Sequence, residues 1–330
     1  MSRQWAFDSI LTTSRYYQRS CVLMAAAELE IFDHLADGPR TAKEIAEAVD
    51  CDARRTSSLL DALAAMEILD KHADRYAAPP EVLDLLTTTG RQSVLAMVQH
   101  QANCMRRWGQ LACAVRSGRP ADRAPSVRGE AGDKQSFIDA MDNINRTSAG
   151  PLVAELAPID FHHLLDVGGA SGTWTIAFLQ HHPGTTATIF DLPHVIPMAR
   201  DRIDDAGFTN RVALVPGDFE TDPLPPGADL ALLSAIIHQN SRDQNRALYR
   251  KTHDALEPGG RILIRDIVMD DARTAPRAGA LFAINMLVST PAGGTFTFSE
   301  IRDDLHAAHF TDVRQLRHDD WMDSFVSARK

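Results

Sequence analysis

The chain has 330 residues, with 34 Lys and Arg against 44 Asp and Glu and a formal net charge of −10. Hydrophobic content of 44% and charged content of 24% suit a globular protein of about two domains with a sizeable core. The acidic balance disfavours nucleic acid and anionic membrane as partners. No apolar run approaches the ~18 residues of a membrane span, and the opening MSRQWAFDSI has no signal-peptide core, so a cytoplasmic location is expected.

In chain order, Val22, Ala25, Leu29, Phe32 and Leu35 recur at helical spacing. Thr41 and Glu44 form a capping box ahead of Ile45, Ala46 and Val49. Asp52 caps a further helix whose apolar face is Leu59, Leu60, Leu63 and Met66, and residues 68–77 read as a short hairpin. Three helices and a hairpin predict a winged helix, which either binds DNA or serves as a dimerisation module. Residues 41–74 carry more acids than bases, so protein–protein contact is the expectation.

Residues 81–115 read as helical throughout, 116–135 as a Gly- and Pro-rich surface loop, and 136–156 as a helix with Phe137, Met141, Ile144 and Val153 apolar. The predicted division is 1–115, then a bridging segment 116–156, then 157–330. The cysteines, Cys21, Cys51, Cys104 and Cys113, have no CxxC spacing and read as buried free thiols. The histidine pairs 162–163 and 181–182 lack the spacing of a helical zinc site and read as loop or helix-end residues.

The most informative stretch is LLDVGGASG, Leu164 to Gly172. An apolar strand ends in glycines, and a helix with Ile176, Ala177 and Leu179 follows. Such a turn lets a ligand sit on N–H groups at a helix N-terminus. An ordinary Gly-rich turn without a ligand has the same composition. Asp191 closes a second strand over 186–190, where an acid can accept from two ribose hydroxyls. The series Asp166, Gly168, Ala170, Gly172 departs from the dinucleotide spacing G-x-G-x-x-G. Further strands follow over 212–216, 229–235 and 261–264. Asp218 and Phe219 stand at the tip of the first of these, either as a turn with a core Phe or as an acid and ring for a base. His238 follows the next, Asp266 lies near the tip of the last, and 310–316 with 323–328 form a closing hairpin.

Together LLDVGGASG, FDLPHVI at 190–196, GDF at 217–219 and LEPGGRILIRD at 256–266 resemble the small-molecule O-methyltransferases that have an N-terminal dimerisation domain. The resemblance covers nearly the whole chain. It implies an α/β fold: a Rossmann-like sheet with helices on both faces and a closing hairpin, plus a mainly α winged-helix domain. It implies S-adenosylmethionine (SAM) as methyl donor, S-adenosylhomocysteine (SAH) as product, no metal, a small-molecule methyl acceptor and a homodimer. Asp166, Gly168, Gly169, Gly172, Asp191, Leu192, Asp218, Phe219 and Ser234 then fall at the donor. Met141, Asn145, Asn285 and Met286 fall at the acceptor, His238 as general base, and Asp266 as the carboxylate that orients it.

The chain departs from this pattern in three places. Gln239-Asn240 follows the histidine where many members have Asp-Trp, Ser234 replaces a lysine, and Thr295-Phe296-Thr297-Phe298 stands where a second acid flanks the histidine, leaving Glu300 as the nearest. Methylation of sulfur or carbon therefore stays open beside methylation of a hydroxyl. A ligand-switched winged-helix regulator and a nicotinamide oxidoreductase are the remoter readings.

Overall fold

The computed structural model describes residues 5–156 and 159–330. They form two compact units, one of the described residues up to Arg106 with Arg123–Ile144, the other of Arg107–Asp122 with Asn145–Lys330.

The chain begins with α1 (Phe7–Ser14) and α2 (Tyr17–Glu28), then β1 (Arg40–Thr41), α3 (Ala42–Ala48) and α4 (Ala53–Ala65). The two sequence-predicted caps form. Thr41 Oγ1 accepts from Glu44 N at 3.2 Å while Thr41 N donates to the Glu44 carboxylate at 2.7 Å, and Asp52 accepts from Arg55 N at 2.9 Å. Each such cap stabilises its helix by about 1 kcal/mol. The hairpin β2 (Asp70–His72) and β3 (Arg75–Ala77) follows, with β1 antiparallel to β3. Ile31, Phe32, Ile45, Leu60, Leu63 and Tyr76 are the core of this unit. The Tyr76 hydroxyl donates to Asp61 at 2.7 Å, so the acid of α4 ties the hairpin to the helix.

The helix expected over 81–115 is instead three: α5 (Pro80–Leu86), α6 (Leu95–Trp108) and α7 (Leu111–Ser117). The first break is sterically built, because a Cβ on Gly90 would lie 2.2 Å from the Asp84 carbonyl oxygen. The predicted loop shrinks to the residues between Ser117 and Gly129, where α8 (Gly129–Asn145) starts, and Ser126 N donates to Asp133 at 2.9 Å just ahead of it. The helix expected over 136–156 breaks after Asn145 and resumes as α9 (Ala149–Glu155). The expectation of buried thiols holds only for Cys104; Cys21 and Cys113 are exposed and Cys51 is half-buried.

The second unit continues with β4 (His163–Val167), α10 (Thr173–His181), β5 (Thr186–Asp191), α11 (Ile196–Asp205), β6 (Val212–Pro216), β7 (Ala228–Ser234) and α12 (Arg242–Ala255). It closes with β8 (Leu256–Asp266), β9 (Val268–Met269), α13 (Arg277–Ser289), β10 (Phe296–Thr297), α14 (Phe298–Ala307), β11 (Thr311–Arg317) and β12 (Ser324–Arg329). The main sheet has the order β11-β12-β8-β7-β4-β5-β6, all parallel except β12 against β8 and β11 against β12. His163 is a strand residue rather than a loop one, bonded to Thr186 at 2.7 Å and Thr188 at 2.9 Å.

Period-two alternation builds two cores on the two faces of this sheet. Leu165, Val167, Ala231, Leu233, Ile262, Ile264 and Val326 pack on one side with Leu248, Tyr249 and Leu305. Leu164, Leu230, Leu232, Leu263 and Phe325 pack on the other with Ala177 and Phe178. The chain turns outward from β4 to β5 and β6 on one side, and to β7 and β8 on the other. A crevice at such a switch point, outside the carboxyl ends of the strands, is where open α/β sheets hold ligands.

Candidate active site

The turn after β4 is left-handed at three of its residues. Gly168, Ala170 and Gly172 all have positive φ, at 70°, 46° and 74°. A Cβ on Gly168 would lie 2.5 Å from the tip of the Ile236 side chain, which can move aside, so it is the positive φ that calls for glycine there. Ala170 N donates to an Asp191 oxygen at 2.7 Å, and Leu192 N to the other at 2.7 Å, which stitches the tips of β4 and β5 together. Burial pushes the Asp191 carboxyl up from its ordinary value, and these two N–H groups pull against it. The Leu192 side chain is exposed at the same tip.

Asp166 lies near the end of β4 in the interior of the fold. Its carboxylate is 1% exposed and accepts from Thr175 Oγ1 at 2.7 Å, behind the turn and against α10. Burial, the largest cause, raises its carboxyl to about 7. It braces the glycine turn from behind. Asp218 and Phe219 follow β6 in a tight turn, with Asp218 Oδ1 accepting from Glu220 N at 2.8 Å and the Phe219 ring packed on the edge of the core.

His238 sits one strand over, on a single 3-10 turn (Ile237–Gln239) after β7. The strand leaves through Ala235 at φ 58°, a conformation uncommon for a residue with a Cβ. His238 Nδ1 lies 3.0 Å from both oxygens of Asp266, at the tip of β8. Both are buried, His238 to 7% and Asp266 to 1% exposure. A carboxylate only accepts, so this bond puts the ring hydrogen on Nδ1 and leaves the Nε2 lone pair free for a proton. Three further contacts hold the ring and its backbone. The Phe282 ring stands edge-on at 4.9 Å, Gly294 N donates to the His238 carbonyl at 2.9 Å, and Asn245 Nδ2 donates to the Ile237 carbonyl at 3.0 Å. Asn240 is buried and donates to Asn245 at 3.0 Å, so it secures the same turn.

Glu300 is not available to His238. It completes the capping box of α14 with Thr297 and pairs with Arg273 and Arg242. Ser234 Oγ accepts from Arg265 at 3.2 Å. Arg265 is itself buried, paired with Asp323 and stacked 4.5 Å from the Trp174 ring. Asn285 lies one turn beyond Phe282 on α13, and its oxygen accepts from Trp108 Nε1 at 3.0 Å, which fixes the amide orientation because an indole N–H can only donate. Met286 is buried on the same helix. Met141 lies on α8 in the first unit, and Asn145 is the last residue of that helix.

Sequence reasoning missed Phe282, Arg265, Gly293 and Lys251. Only Phe282 carried a signal, the i,i+3 spacing to Asn285. Among the described residues, no cluster of three or more His, Cys, Asp or Glu side chains is arranged to hold a metal ion. None of their helices is long and apolar enough to cross a membrane.

Residues 108–311 match the O-methyltransferase domain, and residues 11–88 match the O-methyltransferase dimerisation domain. The chain belongs to the O-methyltransferase family. It is 33% identical to the 3-hydroxy-5-methyl-1-naphthoate 3-O-methyltransferase of Streptomyces sahachiroi, over 89% of this chain and 87% of that one. It is 29% identical to the N,N-dimethyltransferase OxyT of Streptomyces rimosus, over 94% and 92%. The human N-acetylserotonin methyltransferase, solved in complex with SAM, superposes with a TM-score of 0.82 at 28% identity, covering 100% of this chain and 99% of that one. This O-methyltransferase uses SAM as its methyl donor and yields SAH.

Proposed function

We propose that the enzyme methylates a hydroxyl of a small aromatic acceptor at the carboxyl ends of β4, β7 and β8, with His238 as general base. The buried His238–Asp266 pair with a free Nε2 carries this reading. In it, Gly168, Gly169 and Gly172 receive the methionine part of SAM, Asp191 and Leu192 the ribose, Asp218 and Phe219 the adenine, and Ser234 lies alongside. Asn145, Asn285 and Met286 line the acceptor side. The two Asn285 amide hydrogens, turned from Trp108, suit an acceptor that carries a carbonyl or carboxylate oxygen.

When bound, SAM supplies a methyl group already activated on a sulfonium. The protein aligns the acceptor and removes its proton. A phenol of pKa about 10 stands above an ordinary imidazole at about 6.5, so ground-state deprotonation is uphill and the proton leaves as the new bond forms. Asp266 holds the ring in one tautomer throughout. The dimerisation domain supports a homodimer in which the first unit serves assembly and the second catalysis.

The expected result for His238→Ala is a fall in kcat of about 10²–10⁴-fold with SAH affinity nearly unchanged. Turnover equal to wild type would remove His238 as the base. A second reading, an amine or thiol acceptor, is favoured by the likeness to OxyT and by Glu300 being spent elsewhere. It requires that His238→Ala still methylate an amine or thiol while phenols are poor substrates of the wild type.

A further inference from the structure

Three backbone carbonyls of the turn after β6 converge on one ammonium. Lys251, on α12, donates from Nζ to Phe219 O at 2.9 Å, Glu220 O at 2.8 Å and Asp222 O at 3.0 Å. A lysine has three N–H donors, and all three are used. The turn itself is closed from inside. Asp218 N donates to Asp222 Oδ2 at 2.8 Å, and Asp222 N to the Asp218 carbonyl at 2.7 Å. That bonding satisfies the N–H groups, yet it turns the carbonyls at 219, 220 and 222 outward together. Three carbonyl dipoles aimed at one point repel unless a cation sits there. Upstream, the turn is pinned by Gly217, where a Cβ would lie 2.4 Å from the Phe190 ring. Downstream, Lys251 is the matching restraint, and it comes from a helix that packs on the sheet core through Leu248 and Tyr249.

We infer that Lys251 is a positioning residue for the donor site: its ammonium holds the 218–222 turn in the shape that presents the Asp218 carboxylate and the Phe219 ring to the adenine. Lys251 bonds only to backbone there and needs no contact with SAM. The inference rests on the proposed adenine role of Asp218 and Phe219. It predicts an effect confined to the adenosine end of the donor, with the His238 machinery on the other branch of the sheet undisturbed.

The test measures binding of SAH and of adenosine by calorimetry, and kcat at saturating SAM, for wild type, Lys251→Met and Lys251→Arg. Lys251→Met should weaken SAH roughly tenfold, because hydrogen bonds to a charged donor are lost from a loop that then relaxes. Adenosine should weaken by the same factor and kcat should stay within about twofold of wild type. Lys251→Arg keeps the charge but offers a planar fork, and should bind SAH with intermediate affinity. If Lys251→Met does not fold, Lys251→Gln takes its place with the same expectations. A merely structural lysine would lower the melting temperature and leave both affinities alone, and that result would overturn the inference. So would weaker SAH binding with adenosine binding unchanged. Wild type that fails to bind SAH would instead overturn the reading of the cleft, and this inference with it.

Discussion

Two alanines and one aspartate show how single residues set the site. Ala170 and Ala235 hold positive φ at the tips of β4 and β7, where the chain must swing away from the sheet and leave room for a ligand. Asp166 is buried behind the first of these tips. Its carboxyl in the folded protein sits at about 7, raised above the ordinary value of about 3.9 by burial. For a raised carboxyl, the folded state holds its proton more tightly than the unfolded chain does. The stabilisation is therefore complete below pH ~4 and is lost as pH rises through about 7. Asn keeps an oxygen for Thr175 and has no proton to lose. The melting temperature of Asp166→Asn should thus gain on that of wild type between pH 5 and pH 8, and a difference that stays constant with pH would show that this carboxyl does not titrate in that window.

At the scale of elements, the proposed base His238 depends on a turn that follows α13. A Cβ on Gly293 would lie 2.5 Å from the His238 carbonyl oxygen and 3.0 Å from that of Gln239, while Gly294 N bonds the same His238 carbonyl. The two turns are packed backbone to backbone. Gly293→Ala must push the histidine turn outward by a few tenths of an ångström or more. Misplacement of a reacting group by ~1 Å can cost about 10²-fold, so a 10- to 100-fold loss of kcat is expected, with SAH binding within threefold of wild type. Wild-type kcat in the variant would mean the two turns separate at no cost. The elements also show where sequence pattern fails. Residues 81–115 read as one helix, yet they divide into three at Thr87-Thr88-Thr89-Gly90 and at Gly109. Threonine and glycine are poor helix formers, so these breaks carried a local signal that the apolar pattern concealed.

For the whole molecule, the acidic chain carries its large exposed apolar side chains unevenly. Trp5, Phe7, Ile10, Tyr16 and Tyr17 are each at least half exposed, and α1 has no buried residue. A helix that buries nothing within its own chain is covered by another chain or by nothing. In the proposed homodimer the partner chain is expected to cover it. Sedimentation should then give twice the chain mass of 36.3 kDa, and Phe7→Glu with Ile10→Glu should shift the species toward monomer. A wild-type monomer at micromolar concentration would remove the homodimer from the proposal.

The sequence alone determined the order of elements in the second unit, the closing hairpin and the caps at Thr41 and Asp52, whereas the pairing of His238 with Asp266 was implied only by the family resemblance. These follow from period-two apolar runs, from glycines where φ is positive, and from side chains that bond a backbone three residues away, all of them local chemistry. Asp191 was legible for the same reason, as the last residue of an apolar strand. Only the tertiary structure decided that Asp166 bonds Thr175 of the helix behind the turn, that Glu300 is consumed by Arg242 and Arg273, that Phe282 and Gly293 pack on the His238 turn, and that Lys251 meets the 218–222 turn. Each of those outcomes depends on groups distant in the chain meeting at one point. Strand order and helix packing set such meetings, and no spacing within a segment encodes them.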